Sequence, residues 1–258
     1  IDLRYRLLPY NYNLAYEQTK NGSPLMAPLY YYFPTDTVAL KVEDEYMWGK
    51  NILVAPVLEK GAKARKIYLP QGAWFSNAGK YFFSRGEWYD VDVNINSIPF
   101  FFKAGSFTPM LVTKVLNTSK ADAKNIAMQY VVNSTPTEYE LFNDDGNNKK
   151  SLEEGKYSIV KFNSTGLRSN TLSINIAPVK LQATDSSILY KMILLLNDKP
   201  SNVMLNNKKV EVKDAGMSEL KGCLWMSDTK TLYIEVPFDG KNINLFIQFL
   251  KQVNTPKR

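Results

Sequence analysis

The sequence contains no histidine and only one cysteine among its 258 residues. The first absence removes Ser-His-Asp triads, HExxH zinc sites and most histidine metal centres. The second removes intrachain disulfides and cysteine metal clusters. Cys223 lies in "KGCLWMS", a strand-like run where a small buried hydrophobe is the expected role. Long apolar runs are missing too. "YKMILLLN" (190–197) falls far short of the roughly 20 residues a bilayer span requires, and no signal-peptide pattern is present. The chain reads as soluble, and an exported protein stripped of its signal would read the same. It begins at Ile1 rather than Met, as a processed product or a piece of a longer chain would. Clustered positive charge is also lacking. The 32 basic residues exceed the 25 acidic ones by seven, but they are scattered, in pairs such as Lys149-Lys150 and Lys208-Lys209. No arginine-rich helix or nucleic-acid motif accompanies them, so nucleic acid is not an expected partner.

What is present is enough for a large core: 45% of the residues are hydrophobic. Residues 2–19 place Leu3, Leu7, Tyr10 and Leu14 at helical spacing on one face. Pro9 kinks that helix or marks its true start. "KNGSP" (20–24) is a breaker, with Gly22 placed to end the helix and Pro24 just beyond. "LMAPLYYYF" (25–33) is apolar without alternation, which predicts a strand buried on both faces, as in a helix-covered parallel sheet. From about residue 51 the pattern changes to short β-type runs separated by Gly, Pro and Asn at hairpin spacing. These are 51–58, 65–70, 80–93 and 97–111. Residues 112–125 are polar and read as a boundary. About nine further strand candidates follow, a sandwich-sized set. "KQVNTPKR" at 251–258 reads as a frayed tail. The expected fold is mainly β, with two consecutive β-sandwiches behind an α/β prelude.

Few segments suggest chemistry. "FNDDGN" (142–147) reads as a hairpin turn on Asp145-Gly146, since a calcium loop needs a longer ligand series. Asp90 and Asp92 share one strand face about 7 Å apart, within the range of an inverting glycosidase pair. Alternating charge on a strand more commonly marks its solvent side. "VEDEY" (42–46) clusters three carboxylates and reads as a polar helix start. Aromatics make up 13% of the chain, and sugar rings stack on such side chains. Trp74, Trp88 and Trp225 are the first candidates for that contact, although packing between sheets uses the same residues. No catalytic set is visible, and no metal ligand set.

The opening stretch carries more. "LRYRLLPYNYNLAYEQTKNGSPLMAPLYYYFPTD" resembles the end of the catalytic barrel in glycoside hydrolase family 31, the α-glucosidase and α-xylosidase family. That family reads Leu-Arg-Tyr-x-Leu-Leu-Pro-Tyr, then Gly-x-Pro, Pro-Leu and Phe-Pro-x-Asp. "EDEYMWGKNILVAPVLEKGAKARKIYLPQGAWF" (43–75) resembles its Gln-Phe-x-x-Gly, Leu-Val-Ala-Pro-Val and Tyr-Leu-Pro-x-Gly-x-Trp sequence. "SIPFFFKAGSFTPM" (97–110) is similar to its Ile-Pro-x-Phe-x-Arg-x-Gly-Ser segment. "YELFNDDG" and "EEGKYSIVKF" resemble its distal β domain. The match runs in order from residue 2 to about 162; beyond that only the β character agrees. Two departures stand out. The chain has Ala27-Pro28-Leu29 where many members read Arg-Pro-Leu, and Glu45-Tyr46 where they read Gln-Phe.

The resemblance implies three parts: residues 1–50 as the end of a (β/α)8 barrel, 51–115 as a proximal β-sandwich and 116–258 as a distal one. It implies retaining hydrolysis of α-glucosides or related α-glycosides by two carboxylates, with no cofactor and with an oligosaccharide substrate held by the barrel. The family's nucleophile and acid/base aspartates stand in motifs absent from these residues. No catalytic residue is therefore carried onto this chain, and alone it is expected to be inactive. A stand-alone carbohydrate-binding or scaffolding β-sandwich is the alternative, although the helical prelude at 1–40 has little use without a barrel.

Overall fold

The computed structural model describes residues 2–113, 115, 117, 118, 124–185, 187–215 and 221–250. They fall into two compact units, one within Ile1–Tyr16 and Phe107–Arg258, the other Glu17–Ser106.

The prelude is helical as far as its breaker. Helix α1 (Asp2–Arg6) is followed by α2 (Leu8–Asn21). Hydrogen bonds from Leu7 N–H to the Leu3 carbonyl and from Asn11 N–H to the Leu7 carbonyl carry the ladder past the join. Pro9 has no N–H to give, which is why the helix restarts here. Leu7, Tyr10 and Leu14 are buried, and Leu3 is half-buried. At the far end Gly22 takes φ +76° and donates to the Gln18 carbonyl at 2.9 Å, the left-handed stop a glycine accepts without a Cβ clash.

Residues 25–33 do not form the expected strand. Only β1 (Met26–Pro28) is extended, and Leu29–Tyr32 turn into a short helix, α3. Pro28 is the cause: it cannot donate to a ladder, and its φ of −62° suits a helix entry. Ala27 and Leu29 are buried and Tyr32 and Phe33 pack partly against the core, while Met26, Tyr30 and Tyr31 are exposed. The strand is an edge, paired antiparallel with β2 (Tyr46–Trp48) through Ala27 and Met47. The tyrosines read as apolar in sequence, but a hydroxyl at the tip lets them face water.

The rest of the smaller unit holds β3 (Ile52–Val54), β4 (Ala64–Leu69), β5 (Gly72–Ser76), β6 (Tyr81–Ser84), β7 (Glu87–Asp92) and β8 (Phe100–Lys103). One sheet runs β1-β2-β3-β8-β5-β6, and β4 and β7 pair separately. Their core gathers Met47, Leu53, Ile67, Tyr68, Trp74 and Phe101. The 97–111 run divides at Ala104-Gly105, and its second half, β9 (Phe107–Leu111), belongs to the larger unit. Of the polar segment 112–125, residues 114, 116 and 119–123 lie outside the described residues, as does the tail 251–258.

The larger unit is a sandwich. Its strands are β9, β10 (Ile126–Val131), β11 (Thr137–Asn143), β12 (Ser158–Ser164), β13 (Thr171–Lys180), β14 (Ile188–Leu195), β15 (Asn202–Leu205), β16 (Lys208–Val210), β17 (Lys213–Asp214), β18 (Cys223–Met226), β19 (Thr231–Phe238) and β20 (Ile243–Gln248). They form two six-stranded sheets, β17-β18-β19-β14-β10-β9 and β11-β12-β13-β20-β15-β16. Alternation sets the inner faces: Leu172, Ile174 and Ile176 of β13 point inward, as do Tyr190, Met192 and Leu194 of β14. Asn206 and Asn207, both at positive φ, make the β15–β16 hairpin. Among the described residues no helix is long and apolar enough to cross a membrane.

Candidate functional site

The carboxylates singled out in the sequence are distributed over three places, each with its own chemistry.

The first lies within the larger unit, where α2 meets the edge strand β11. An edge strand exposes unpaired N–H and C=O groups. The Asn13 amide supplies both partners: Nδ2 donates to the Glu140 carbonyl at 2.6 Å, and Oδ1 accepts the Phe142 N–H at 2.9 Å. Tyr16 stacks on Phe142 with ring centroids 4.3 Å apart. Just beyond, Asp144 accepts the Tyr12 hydroxyl at 2.6 Å, the Ser151 hydroxyl at 2.6 Å and the Gly146 N–H at 2.8 Å. Asp145 accepts the N–H groups of Asn147 and Asn148, which hold its carboxyl below the usual range. Gly146 has φ +67°, as a turn glycine does. The Asp144-Asp145-Gly146 segment is thus a turn whose carboxylates take donors from its own loop and from α2. Among the described residues no group of three or more His, Cys, Asp or Glu is arranged to hold a metal ion. Sequence reasoning missed Asn13 and Tyr12 here, because their partners lie more than 120 positions away.

The second place is the 42–46 carboxylate run. No helix starts there; the chain passes from a short turn at Ala39–Lys41 into β2. Val42 and the buried Glu45 turn inward, so the run threads the core edge instead of capping a helix. Asp44 pairs with Arg65 at 2.6 Å, and Arg65 also donates to the Pro56 carbonyl at 3.1 Å. Glu45 is only 3% exposed. Its Oε1 accepts the Tyr68 N–H at 2.7 Å, but Oε2 is buried without a hydrogen-bond partner. Burial pushes this carboxyl up to about 8, outweighing the Tyr68 N–H and the Arg65 charge, which both pull it down. The Tyr68 hydroxyl donates to Asp36 Oδ2 at 2.7 Å. Asp36 Oδ1 in turn accepts the Val38 and Ala39 N–H groups. "FPTDT" carries a turn signal that marks Asp36; nothing local marks Arg65 or Tyr68.

The third place is the two-stranded β4–β7 ribbon. Asp90 and Asp92 point to its solvent side, and Trp88 shares that face at 46% exposure. The other tryptophan candidates do not face solvent. Trp74 is fully buried and donates to the Pro70 carbonyl at 2.9 Å, and Trp225 is buried in the sandwich core. Cys223 is buried on β18, and burial pushes its thiol up to about 11.

Residues 22–107 match the family model for the glycosyl hydrolase family 31 C-terminal domain. The chain is 29% identical over 242 residues to the probable glucan 1,3-alpha-glucosidase of Arabidopsis thaliana, covering 92% of this chain and 26% of that protein. It is 31% identical over 157 residues to alpha-glucosidase 2 of Bacillus thermoamyloliquefaciens, covering 61% of this chain and 20% of that one. The GH31 dextranase of Flavobacterium johnsoniae, complexed with isomaltotriose, superposes with a TM-score of 0.80 at 22% identity. That likeness covers 96% of this chain and 32% of the dextranase, and it shows the fold. The β-rich architecture is therefore one that this chain shares with a part of the dextranase. These matches support a C-terminal fragment of a glycoside hydrolase family 31 enzyme, with the family model covering a third of the chain. The chain spans about a quarter of the length of the curated relatives it matches.

Proposed function

We propose that this chain is the C-terminal portion of a retaining α-glycosidase acting on α-linked glucosides or related α-glycosides. The observation that carries the reading is the family match over 22–107 together with relatives roughly three to four times as long that are named α-glucosidases. In this reading residues 1–50 are the end of the (β/α)8 barrel, 51–115 the proximal sandwich and 116–258 the distal one. The barrel's missing strands carry both catalytic carboxylates, a nucleophile and an acid/base separated by about 5 Å in a retaining enzyme. The exposed Met26, Tyr30 and Tyr31 are the side chains such a barrel would cover. Ala27 fills a buried position where many members carry arginine, so the barrel floor beside it has one cation fewer than theirs. The substrate is an oligosaccharide bound by the barrel, and nucleic acid plays no part.

The mass of the native polypeptide that yields these peptides tests the reading. A product longer by on the order of 200 residues, a barrel's worth, is expected. A native product of this chain's own size would overturn it. The isolated chain should release no aryl group from an aryl α-glucoside, and turnover by this chain alone would overturn its assignment as inactive.

A further inference from the structure

We propose that the solvent face of the β4–β7 ribbon is a surface site for α-glucan chains, with Trp88 as its stacking platform. The proposal deepens the α-glycosidase reading and rests on it for the identity of the sugar.

The ribbon's register brings together the groups a sugar needs. Tyr68 lies opposite Trp88, Lys66 opposite Asp90, and Ala64 opposite Asp92. Alternation along a strand puts Trp88, Asp90, Asp92 and Lys66 on one side, and all four are exposed. A pyranose presents an apolar face of C–H groups and a rim of hydroxyls. An exposed indole offers the flat apolar surface, and a carboxylate and an ammonium at its edge offer an acceptor and donors. The spacing of about 7 Å between alternate residues sets Asp90 roughly one ring's width from Trp88. Ala64 adds no bulk, so a chain can lie along the strand from Trp88 toward Asp92. Among the described residues no side-chain hydrogen bond or ion pair engages the Asp90 and Asp92 carboxylates, which are left free to accept hydroxyls.

The platform is braced by its cross-strand neighbour on the same face. The Trp88 ring leans on Tyr68 at 5.3 Å, and Tyr68 is 1% exposed with its hydroxyl fixed by Asp36. The turn leading into Trp88 is pinned by Ser84, whose hydroxyl donates to the Leu69 carbonyl and accepts the N–H groups of Gly86 and Glu87. Lys66 Nζ lies over the Trp88 ring, 5.8 Å from its centre, so a sugar would stack on the part of the indole the ammonium leaves open and take a hydrogen bond from it. A ring fixed this way loses little freedom on binding. A merely accidental surface tryptophan needs no such support. A polymer-degrading enzyme gains from a second site of this kind, because a weak hold on the chain raises the local concentration of cleavable ends.

The test uses the 258-residue chain with maltoheptaose and with dextran as probes. Trp88 is the most exposed of the tryptophans described, so acrylamide quenching reports its cover. Saturable protection from quenching is expected, together with retardation in a native gel containing dextran. Trp88→Ala should weaken binding at least about tenfold, and Asp90→Asn and Lys66→Ala by roughly two- to fivefold each. Trp88→Tyr should retain most of it, which separates a lost platform from a lost fold; unchanged circular dichroism of Trp88→Ala makes the same separation. Absence of saturable binding to either glucan overturns the site, as does undiminished binding by folded Trp88→Ala. If Trp88 in the longer native polypeptide is already shielded before sugar is added, the face belongs to protein packing and the site is again overturned. Hydrolysis of an aryl α-glucoside by the native polypeptide is read separately. Hydrolysis without glucan binding here removes the site alone; glucan binding without hydrolysis removes the enzyme reading and leaves the site standing.

Discussion

Replacing Glu45 with glutamine should make the smaller unit more stable above neutral pH and leave it nearly unchanged in acid. Glu45 is buried, with Oε1 on the Tyr68 N–H and Oε2 without a partner. Charge there must be held by one backbone N–H and by Arg65, which already pairs with Asp44. Burial wins, and the carboxyl is pushed from 4.5 up to about 8. The folded state thus holds this proton more tightly than the unfolded state does. Its contribution to stability is fully present below about pH 4.5. It declines as pH rises toward 8, because unfolding then releases a proton, and it is constant above that. At about 1.4 kcal/mol per pH unit, a rise from 4.5 to about 8 corresponds to a loss on the order of 5 kcal/mol.

Glutamine is the uncharged neighbour of the protonated acid. Its oxygen can keep the Tyr68 N–H, and its Nε2 takes the place of the unpartnered Oε2. The amide has no acceptor there, but neither has the protonated carboxyl, so the two differ by about 1 kcal/mol or less near pH 4. At pH 9 the variant should be more stable by several kcal/mol, with the gap opening between pH 4.5 and 8. Urea unfolding followed through the buried Trp74 gives both curves, and every other titration cancels in their difference. Parallel curves for the parent and E45Q across pH 4–9 would refute the reasoning, as would a variant less stable at pH 9 than its parent.

Asn13→Ala removes both partners from the β11 edge and should destabilise the larger unit by on the order of 2 kcal/mol, read as a lower Tm; Asn13→Asp should be little better, since it restores the acceptor for Phe142 but leaves the Glu140 carbonyl facing a charge. Gly86→Ala forces a Cβ to within 2.8 Å of the Tyr68 hydroxyl at φ +87°, and should cost about 1–3 kcal/mol in urea unfolding. Cys223 should resist a thiol reagent at pH 8 in the native state and react at once in denaturant, because its thiol is buried and pushed up to about 11.

The β elements were legible because alternation survives in the sequence wherever one strand face is wet. "TLSINIAPV" alternates, and so does the burial of β13. The helical prelude was legible from Leu7, Tyr10 and Leu14 and from the Gly22 stop. What misled was the apolar run at 25–33. Hydrophobic content cannot distinguish a tyrosine whose hydroxyl reaches water from one that is buried, and Pro28 decides the geometry more than its neighbours do. The 42–46 run misled in the opposite sense: three acids suggested a solvated helix start, while Glu45 enters the core because Met47, two positions on, must. Period two carries an acid inward along with its hydrophobic neighbour, at the cost seen in its raised pKa.

The site residues were harder to see for a reason particular to sheets. A helix sets chemistry at i, i+3 and i+4, within reach of a sequence motif, whereas a ribbon sets it across strands joined by arbitrary loops. Lys66 meets Asp90 and Tyr68 meets Trp88 only through the β4–β7 register. Asn13 finds Glu140 and Phe142 across 127 and 129 positions. That last pair bears on function most directly. A helix that the family resemblance assigns to the end of a barrel is bonded, up to Tyr16, into the larger unit's sandwich through an edge strand that would otherwise stand open. Loss of β11 and the turn after it would then remove these partners of the Asn13 amide and the Tyr12 hydroxyl. In the barrel reading proposed above, truncation of the sandwich should therefore lower the stability of the catalytic domain.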